Sequence, residues 1–394
     1  MPDPNLDIDF FSAEIRADPW PFFARLREAD PVHRRPDGDW ILTRYADCQG
    51  VLADPRCSSN PAHEATPAEG SPARREGSNL LLFLDPSDHT RLRRLVSKAF
   101  TPKRVEALRP RIAELVDTLL DEVGDEKQFD LLPALAFPLP VIVICELMGV
   151  PAADRDSLKE WSTAASRLLD PDVEGDTLEQ GLLGAMGLAG YFDQLFEERR
   201  RSPQDDLLSG LVAAEEEGDR LDADELRAIT VLLFIAGHET TMNLIGNGTY
   251  ALLCNPDQLA LVRDDPNMAR SAIEELLRYD GPVHATARVP TEDIDVGGTT
   301  VEAGHRMIVA LGAANRDPAQ FPDPDRLDVT REDNRHLTFS HGIHFCLGAS
   351  LARVEGQVAI PRLLQRFPGL ELAAEPSYRE HLVLRGLTEL QVTP

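Results

Sequence analysis

The sequence has few cysteines and no apolar run near its N-terminus, and each absence argues against a class of protein. Its 394 residues include 5 cysteines, and no two of them form a Cys-x-x-Cys pair. An odd number in this arrangement fits a reducing compartment better than a disulfide framework or a zinc site. The first nine residues are acidic and contain neither a signal peptide nor an anchor. We therefore expect a cytoplasmic protein without a membrane anchor.

Basic residues are also scarce. The chain has 40 Lys and Arg against 67 Asp and Glu, a formal net charge of −27, which argues against binding to nucleic acid or to an anionic membrane. One stretch, called the basic block below, runs from His89 to Arg104 without an acid and contains Arg91, Arg93, Arg94, Lys98, Lys103 and Arg104. An isolated basic run is usually a solvated helix face. Against this acidic background the block is also a candidate for holding anions or an acidic partner.

No repeat, low-complexity tract or linker divides the chain, so one domain over residues 1–394 is expected. Helical spacing dominates the middle of the chain, and short β-branched runs with turn residues occupy smaller parts. The pattern predicts a hairpin at 31–45, an irregular loop at 54–80, helices from 88 to 279, strands within 286–311 and a strand pair at 381–393. The predicted fold class is mainly α, with a small β-rich region.

Glycine recurs at every third position from Gly181 to Gly190, which invites comparison with a nucleotide-binding loop. No strand precedes this segment, and the acid expected about twenty residues later in such a loop is missing. Interior glycines weaken a helix by about 0.5–1 kcal/mol each. We therefore expect a loosened helix that acts as a lid.

Cys346 has the most informative surroundings in the chain. Gly342 and Gly348 flank it, so that backbone can approach closely on both sides. The following residues, 347–359, have helical spacing, which places Cys346 just before a helix N-terminus, where a thiolate is favoured. A lone cysteine among apolar residues is normally an inert core thiol. A thiolate in a glycine-rich loop is also what an iron porphyrin needs as an axial ligand.

A second polar motif interrupts a long apolar segment. Residues 224–253 are predicted to form one helix, and Ala236-Gly-His-Glu-Thr-Thr241 lies in its middle. One interpretation is a glycine-induced kink in which Thr240 bonds back to the helix. The other is a chemical role for Glu239 and Thr240 as an acid and an alcohol that move protons in a dry site.

These segments resemble the motifs of the cytochrome P-450 family. Phe339, Gly342, Cys346 and Gly348 fill the family's haem-ligand pattern Phe-x-x-Gly-x-x-x-Cys-x-Gly. Residues 236–240 match its Ala-Gly-x-(Asp/Glu)-Thr pattern, and 275–278 match Glu-x-x-Arg. The motifs follow the family's order, and the resemblance covers essentially the whole chain. It implies the family's helical fold, with haem buried between a long central helix and the cysteine-ligand loop.

The resemblance also implies roles for individual residues. Cys346 is expected to ligate the iron, and Glu239 and Thr240 to deliver protons to oxygen. The remaining expected contacts are the haem propionates with His89, Arg93, Arg288 and His344, a structural triad of Glu275, Arg278 and Arg326, and a substrate-pocket wall of Leu82, Leu233, Ala236, Val283 and Leu384.

The expected function is that of a haem-thiolate monooxygenase with haem b that acts on O2 and a sizeable hydrophobic molecule, and the protein is expected to be a monomer. No flavin or dinucleotide motif is present, so the resemblance implies electrons from a ferredoxin and its NAD(P)H-dependent reductase. Two alternatives stay open. One is a peroxide-driven peroxygenase or dehydratase on the same fold, against which Glu239 and Thr240 weigh. The other is a haem-based sensor without turnover.

Overall fold

The computed structural model describes residue 6 and residues 12–65, 80–99, 101–170, 173, 175–216, 219–381 and 383–394. Helices make up most of this part of the chain. In chain order they are α1 Ala13–Ala17, α2 Trp20–Ala29, α3 Tyr45–Ala53, α4 Asp88–Ala99, α5 Pro102–Ala107, α6 Arg109–Val123, α7 Pro138–Met148, α8 Arg155–Ser166, α9 Gly175–Arg201, α10 Leu207–Val212, α11 Ala223–Leu253, α12 Pro256–Asp264, α13 Ala269–Asp280, α14 Leu311–Ala314 and α15 Ala349–Arg366.

The strands are short and form small sheets. They are β1 Val32–Arg34, β2 Trp40–Leu42, β3 Cys57–Ser58, β4 Phe129–Asp130, β5 Glu215–Glu216, β6 Asp219–Arg220, β7 Thr286–Pro290, β8 Ile294–Val296, β9 Thr299–Val301, β10 Met307–Val309, β11 Glu371–Leu372 and β12 Gln391–Thr393. The largest sheet has the order β1-β2-β10-β7-β3, and within it β1 and β2 pair as the predicted antiparallel hairpin. Strand β10 runs parallel to β2, with Met307 opposite Trp40. The mainly helical class with a small β region is confirmed.

The predicted strand pair at 381–393 is wrong in its pairing. Among the described residues of this stretch, β12 is the one strand, and it pairs with β11 and β4 rather than with its own neighbours. The preceding residues form isolated bridges instead, between Val283 and Leu384 and between Tyr378 and Leu387. The alternation of polar and apolar residues at 381–393 therefore reflects contacts with other segments of the chain, not a pairing within the stretch itself.

Helix α11 is the centre of the fold. Asp222 caps its N-terminus, and Glu225 completes a reciprocal capping box, which explains where the helix begins. Its length and apolar composition would allow it to cross a membrane, but 61% of its most apolar stretch is buried inside the protein. The largest apolar cluster includes residues of this helix together with side chains from α6, α7, α13 and α15. It is a core helix.

The glycines of α9 have a packing role. Helix α9 is continuous through the glycine-rich segment, and three of these glycines face α8. A Cβ at Gly184 would collide with the carbonyl oxygen of Trp161, and one at Gly187 would lie 2.7 Å from the Trp161 ring. The glycines thus allow two helices to approach closely, which explains the repeat better than a loosened helix does.

Candidate active site

A cavity of about 360 Å³ lies between the middle of α11 and the loop that carries Cys346. Its surface is mostly apolar. All five residues predicted for the substrate-pocket wall line it, namely Leu82, Leu233, Ala236, Val283 and Leu384. Thr240 and Cys346 line it as well, so residues from distant parts of the sequence meet at one site.

The Cys346 loop holds the sulfur close to the start of α15. The Cys346 N–H donates to the carbonyl oxygen of Phe339 at 2.9 Å, which closes the loop. Gly342 has a φ of +72°, and a Cβ there would lie 2.6 Å from the carbonyl oxygen of Leu52, so only glycine fits without strain. At Gly348 the closest atom to an added Cβ is the Cys346 sulfur itself, at 3.9 Å, so this glycine keeps the space beside the sulfur open.

The electrostatics at the Cys346 sulfur pull in two directions. The side chain is accessible, and it faces the cavity that it lines. Desolvation raises the pKa of the Cys346 thiol, while the N–H groups of Gly348 and Ala349 and the guanidinium of Arg93 act to lower it. The helix N-terminus therefore favours the thiolate, as predicted, but desolvation is the larger of the two effects.

Thr240 and Glu239 point to different environments. The Thr240 hydroxyl donates to the carbonyl oxygen of Ala236 at 2.8 Å, the back-bond that helix geometry predicts, and the side chain lines the cavity. Glu239 is only 1% exposed and does not line the cavity. Arg379 donates to its carboxylate at 3.1 Å. The two residues are neighbours in sequence, yet only the alcohol reaches the cavity.

Gly237 serves close packing within a continuous helix. Helix α11 runs through it without interruption. A Cβ at this position would lie 2.9 Å from the Cδ1 atom of Ile144 in α7. The predicted weak point of the helix is thus a contact between two helices.

Four predicted propionate contacts form one cluster at the edge of the cavity. The rings of His89 and His344 lie with their centroids 4.3 Å apart, and both residues line the cavity together with Arg93 and Arg288. Burial is the main cause of a lowered pKa in each of the four, to about 3 for His344 and about 10 for Arg288. Arg93 donates to the carbonyl oxygen of Phe345 at 2.5 Å, which links the cluster to the Cys346 loop.

This cluster fits the two carboxylates of a haem. Among the described residues, neither ring nitrogen of His89 and not Nε2 of His344 has a hydrogen-bond partner. Within the same part of the chain, the hydrogen bonds of Arg288 go to the Ala287 carbonyl and the Thr286 hydroxyl, and neither acceptor is a carboxylate. Buried cations and donors without partners are costly. An anion at the cavity edge would supply the missing partners.

The Glu-x-x-Arg motif forms a buried network behind the Cys346 loop. Arg278 donates to both carboxylate oxygens of Glu275 at 2.8 Å, and both side chains are fully buried. The predicted third member, Arg326, is wrong. Arg331 donates to Glu275 at 3.1 Å, whereas Arg326 is exposed and contributes its carbonyl oxygen, which accepts from Arg278 at 3.3 Å. At Arg326 it is the backbone that contacts Arg278, and the Arg326 side chain therefore points to solvent.

Asn315 connects this network to the cysteine loop, and sequence reasoning missed it. Its side chain donates to the Thr338 hydroxyl at 2.9 Å and accepts from the Leu337 N–H at 2.7 Å. Arg278 donates to the Asn315 carbonyl oxygen at 2.9 Å. Because Thr338 directly precedes Phe339, the buried pair is joined to the segment that holds Cys346.

The basic block is divided between the interior and the surface. Arg91 pairs with Glu225 of the α11 capping box, so its charge is engaged within the protein. Arg94 is exposed, and the side chain of Lys98 lies outside the described part of the chain. Among the later members, Arg104 approaches Asp205 at 3.8 Å.

Comparison with known proteins identifies the family. The family model named Cytochrome P450 matches residues 176–384. The chain is 46% identical to the Vitamin D(3) 25-hydroxylase of Pseudonocardia autotrophica over 98% of this chain and 96% of that protein. It is 43% identical to the cytochrome P450 monooxygenase PikC of Streptomyces venezuelae, over 99% of this chain and 94% of that protein.

Solved structures agree with the sequence comparisons. P450BioI, crystallised with an acyl carrier protein bearing hexadec-9Z-enoic acid, superposes with a TM-score of 0.91 at 40% identity, over 97% of this chain and 99% of that one. The ligand-free CYP164A2 of Mycobacterium smegmatis gives a TM-score of 0.91 at 42% identity, over 99% of this chain and 100% of that one. With these matches and a cavity bounded by Cys346 and Thr240, the chain belongs to the cytochrome P450 family, whose cofactor is haem, and is an oxygenating oxidoreductase.

Proposed function

We propose that the protein is a haem-thiolate monooxygenase that hydroxylates or epoxidises a sizeable hydrophobic molecule with O2. One observation carries the proposal: a single apolar cavity has Cys346 on one side and Thr240 on another, with the His89–Arg288 cluster at its edge. Such an arrangement would give a bound haem a thiolate ligand from Cys346, a hydroxyl from Thr240 and partners for its propionates. Haem held there through a Cys346 thiolate supplies the activation of dioxygen.

The residues of the chain then have distinct roles. Cys346 is the iron ligand, and His89, Arg93, Arg288 and His344 hold the propionates. Their unpaired donors and buried charges support this assignment, because two carboxylates would satisfy them.

The cavity excludes water and controls protons. Its apolar lining keeps competing reactions of solvent away from the reacting atoms. Thr240 lines the cavity from the middle of α11, and its hydroxyl can donate a proton there after its back-bond to Ala236 opens. Glu239, its neighbour in α11, takes up a proton that comes from solvent and with it restores the proton that Thr240 passes on.

The proposed substrate class follows from the lining and from the names of relatives. The five pocket residues are small to medium and apolar, which favours a lipophilic molecule. Relatives include proteins named Vitamin D(3) 25-hydroxylase and 6-deoxyerythronolide B hydroxylase, the latter 42% identical and from Saccharopolyspora erythraea. We propose a substrate of the steroid or macrolide kind, made in bacterial secondary metabolism.

We further propose that a ferredoxin and its NAD(P)H-dependent reductase supply the electrons to a cytoplasmic, monomeric, single-domain protein. The exposed members of the basic block, Arg94, Lys103 and Arg104, support docking of an acidic ferredoxin. The burial of α11 in the core supports a location away from the membrane.

A reconstituted assay tests this function. Purified holoprotein is mixed with a surrogate ferredoxin and reductase, and NADPH consumption and product are measured with a library of lipophilic compounds. Compounds are first chosen by the spectral shift that accompanies displacement of water from the iron. We expect substrate-dependent NADPH consumption with an oxygenated product. Product formed only with added peroxide would indicate a peroxygenase, and haem binding without any product would indicate a sensor.

A further inference from the structure

A buried polar cluster flanks Thr240, on residues of α11 that do not line the cavity. Arg379 donates through Nη1 to Glu239 at 3.1 Å and through Nη2 to the side-chain oxygen of Asn243. Glu239 is 1% exposed, and Asn243 is 2% exposed. Arg379 lies 140 residues after Glu239, so the C-terminal turn brings a cation to the middle of the central helix.

This cluster retains unused hydrogen-bonding capacity. Within the described part of the chain, Oε1 of Glu239, Nδ2 of Asn243 and Nε of Arg379 have no hydrogen-bond partner. His238 does not supply one, because its Nε2 is 3.9 Å from Glu239 and lies within hydrogen-bond distance, 3.2 Å, of the Ser162 hydroxyl instead. A buried site with several unsatisfied polar atoms is suited to water.

A second, smaller cavity adjoins the cluster. Its volume is about 30 Å³, and it is lined by Ile15, Arg16, Pro19, Phe23, His284, Tyr378, Arg379, His381, Arg385 and Gly386. A cavity of this volume with polar walls can hold a water molecule, since about 10–15 Å³ suffices for one. Arg379 lines this small cavity and also contacts Glu239, so it connects the two.

The turn is shaped to admit the arginine. The Arg379 N–H donates to the carbonyl oxygen of Gly386 at 2.8 Å, which closes the turn. A Cβ at Gly386 would collide with the Asn243 side chain and lie 2.7 Å from Nη2 of Arg379. Glycine at 386 therefore makes room for the contact of Arg379 with Asn243.

We propose that Arg379 is a positioning residue for proton delivery, which holds the Glu239 carboxylate toward the small cavity, where protons enter from solvent. The inference rests on the monooxygenase function proposed above. Water in the small cavity takes up a proton from solvent and passes one to Glu239. The carboxylic acid then turns and gives this proton to the Thr240 oxygen while the Thr240 hydroxyl releases its own proton into the cavity, which leaves Glu239 as a carboxylate again. Arg379 stays charged throughout, because a guanidinium does not release its proton in proteins.

The functional test compares two substitutions at one position. Arg379→Ala leaves the carboxylate without its anchor, and we expect product formed per NADPH to fall about tenfold, with hydrogen peroxide formed instead, given that proton-transfer groups contribute about 10²–10⁴-fold. The solvent isotope effect on product formation should rise, because proton delivery becomes slower. Arg379→Lys keeps a cation in place and should recover much of the lost product.

A matched control separates this role from general destabilisation. Arg199 is likewise largely buried and pairs with the buried Asp206 at 2.5 Å, but it lies at the junction of α9 and α10. Arg199→Ala should reduce stability while leaving product per NADPH at the wild-type ratio. Equal loss of product in Arg199→Ala and Arg379→Ala, or unchanged product in Arg379→Ala, would overturn the inference.

A measurement independent of turnover tests the contact itself. Urea unfolding of Arg379→Ala, Glu239→Gln and the double variant gives a double-mutant cycle, and we expect the two substitutions to be non-additive. Additive effects would overturn the inference, since they would mean that the pair does not interact. Wild-type holoprotein that yields no product with any compound contradicts the proposed function, and with it this inference, even where the cycle shows coupling.

Discussion

Arg331 donates to the fully buried carboxylate of Glu275 at 3.1 Å, across 56 residues of chain. Glu275 also accepts from the backbone N–H of Asp328 at 2.9 Å and from the Asn334 side chain at 3.0 Å. One carboxylate thus holds the segment 328–334 against α13. Because the residues after this segment lead directly into the Cys346 loop, the network supports the position of the sulfur.

Replacing Arg331 should therefore weaken both the fold and the hold on haem. Arg331→Ala removes one of the cations of Glu275 but leaves Arg278, so we expect a loss of about 2 kcal/mol, less than the 3–5 kcal/mol typical of fully breaking a buried pair. Urea unfolding measures the stability, and the ratio of haem to protein absorbance measures retention. Arg326→Ala is the matched control and should change neither, because that side chain is exposed; equal losses in the two variants would contradict the assignment of Arg331.

Charge reversal at two adjacent positions of the basic block should have different effects on haem retention. Arg93 lines the cavity edge, so Arg93→Glu places a negative charge beside the propionates, and haem retention should fall. Arg94 is exposed, so Arg94→Glu should leave the haem content at the wild-type level. Haem content is read from absorbance after gel filtration. Equal haem loss in the two variants would contradict the propionate role of Arg93.

Arg94→Glu should instead slow electron transfer from ferredoxin. The positive charge of Arg94 attracts an acidic partner, and salt reduces the range of this attraction, because the Debye length falls to about 3 Å at 1 M. Stopped-flow reduction of the holoprotein by ferredoxin should be slower in the variant at low salt, and the difference should disappear at 1 M salt. A reduction rate that matches the wild type at low salt would show that ferredoxin does not dock at Arg94.

In Thr240→Ala, NADPH should still be consumed, but less product should form for each NADPH. The variant keeps Cys346 and the propionate cluster, so haem and substrate should bind normally. Without the hydroxyl in the cavity, proton transfer slows, and an effect of about a hundredfold or more is typical of such groups. Product and hydrogen peroxide are measured per NADPH consumed. A wild-type ratio of product to NADPH in this variant would exclude the role of Thr240.

Glu355 in α15 gives a prediction about pH and stability. It is fully buried, neither carboxylate oxygen has a hydrogen-bond partner among the described residues, and burial raises its pKa to about 8. The folded protein therefore keeps this proton between about pH 4.5 and 8 while the unfolded chain releases it, so ionisation of the unfolded chain lowers stability as the pH rises. Glu355→Gln removes that linkage. Its free energy of unfolding should fall less than that of the wild type between pH 5 and pH 8, by a few kcal/mol. Parallel pH profiles in urea unfolding would contradict the raised pKa.

Local features of the site could be predicted from the sequence. The bounds of α11 follow from its apolar length, the cap at Asp222 and the break at Asn255-Pro256, all of which lie close together in the chain. Cys346, its glycines and the start of α15 are likewise set within a short segment. The pocket residues were predicted through the family resemblance, and all of them line the cavity.

Partners distant in sequence could not be predicted in the same way. Arg326 and Arg331 lie only five residues apart, so the sequence does not show which of them reaches Glu275. The answer depends on how the segment after Pro324 passes Arg278. The contact of Arg91 with Glu225 and that of Arg379 with Glu239 depend on how α4 and the C-terminal turn meet α11. The periodicity of a short sequence segment does not show which distant segments it will contact.

The ligand identity of Cys346 is tested most directly by the spectrum of the reduced protein with carbon monoxide. The wild-type holoprotein should show the strongly red-shifted Soret band that a thiolate opposite carbon monoxide produces, and Cys346→Ser should lose it. Cys254, the other accessible cysteine of the described chain, provides the control, because Cys254→Ser should keep the band. An unchanged red-shifted band in Cys346→Ser would contradict the account of the site.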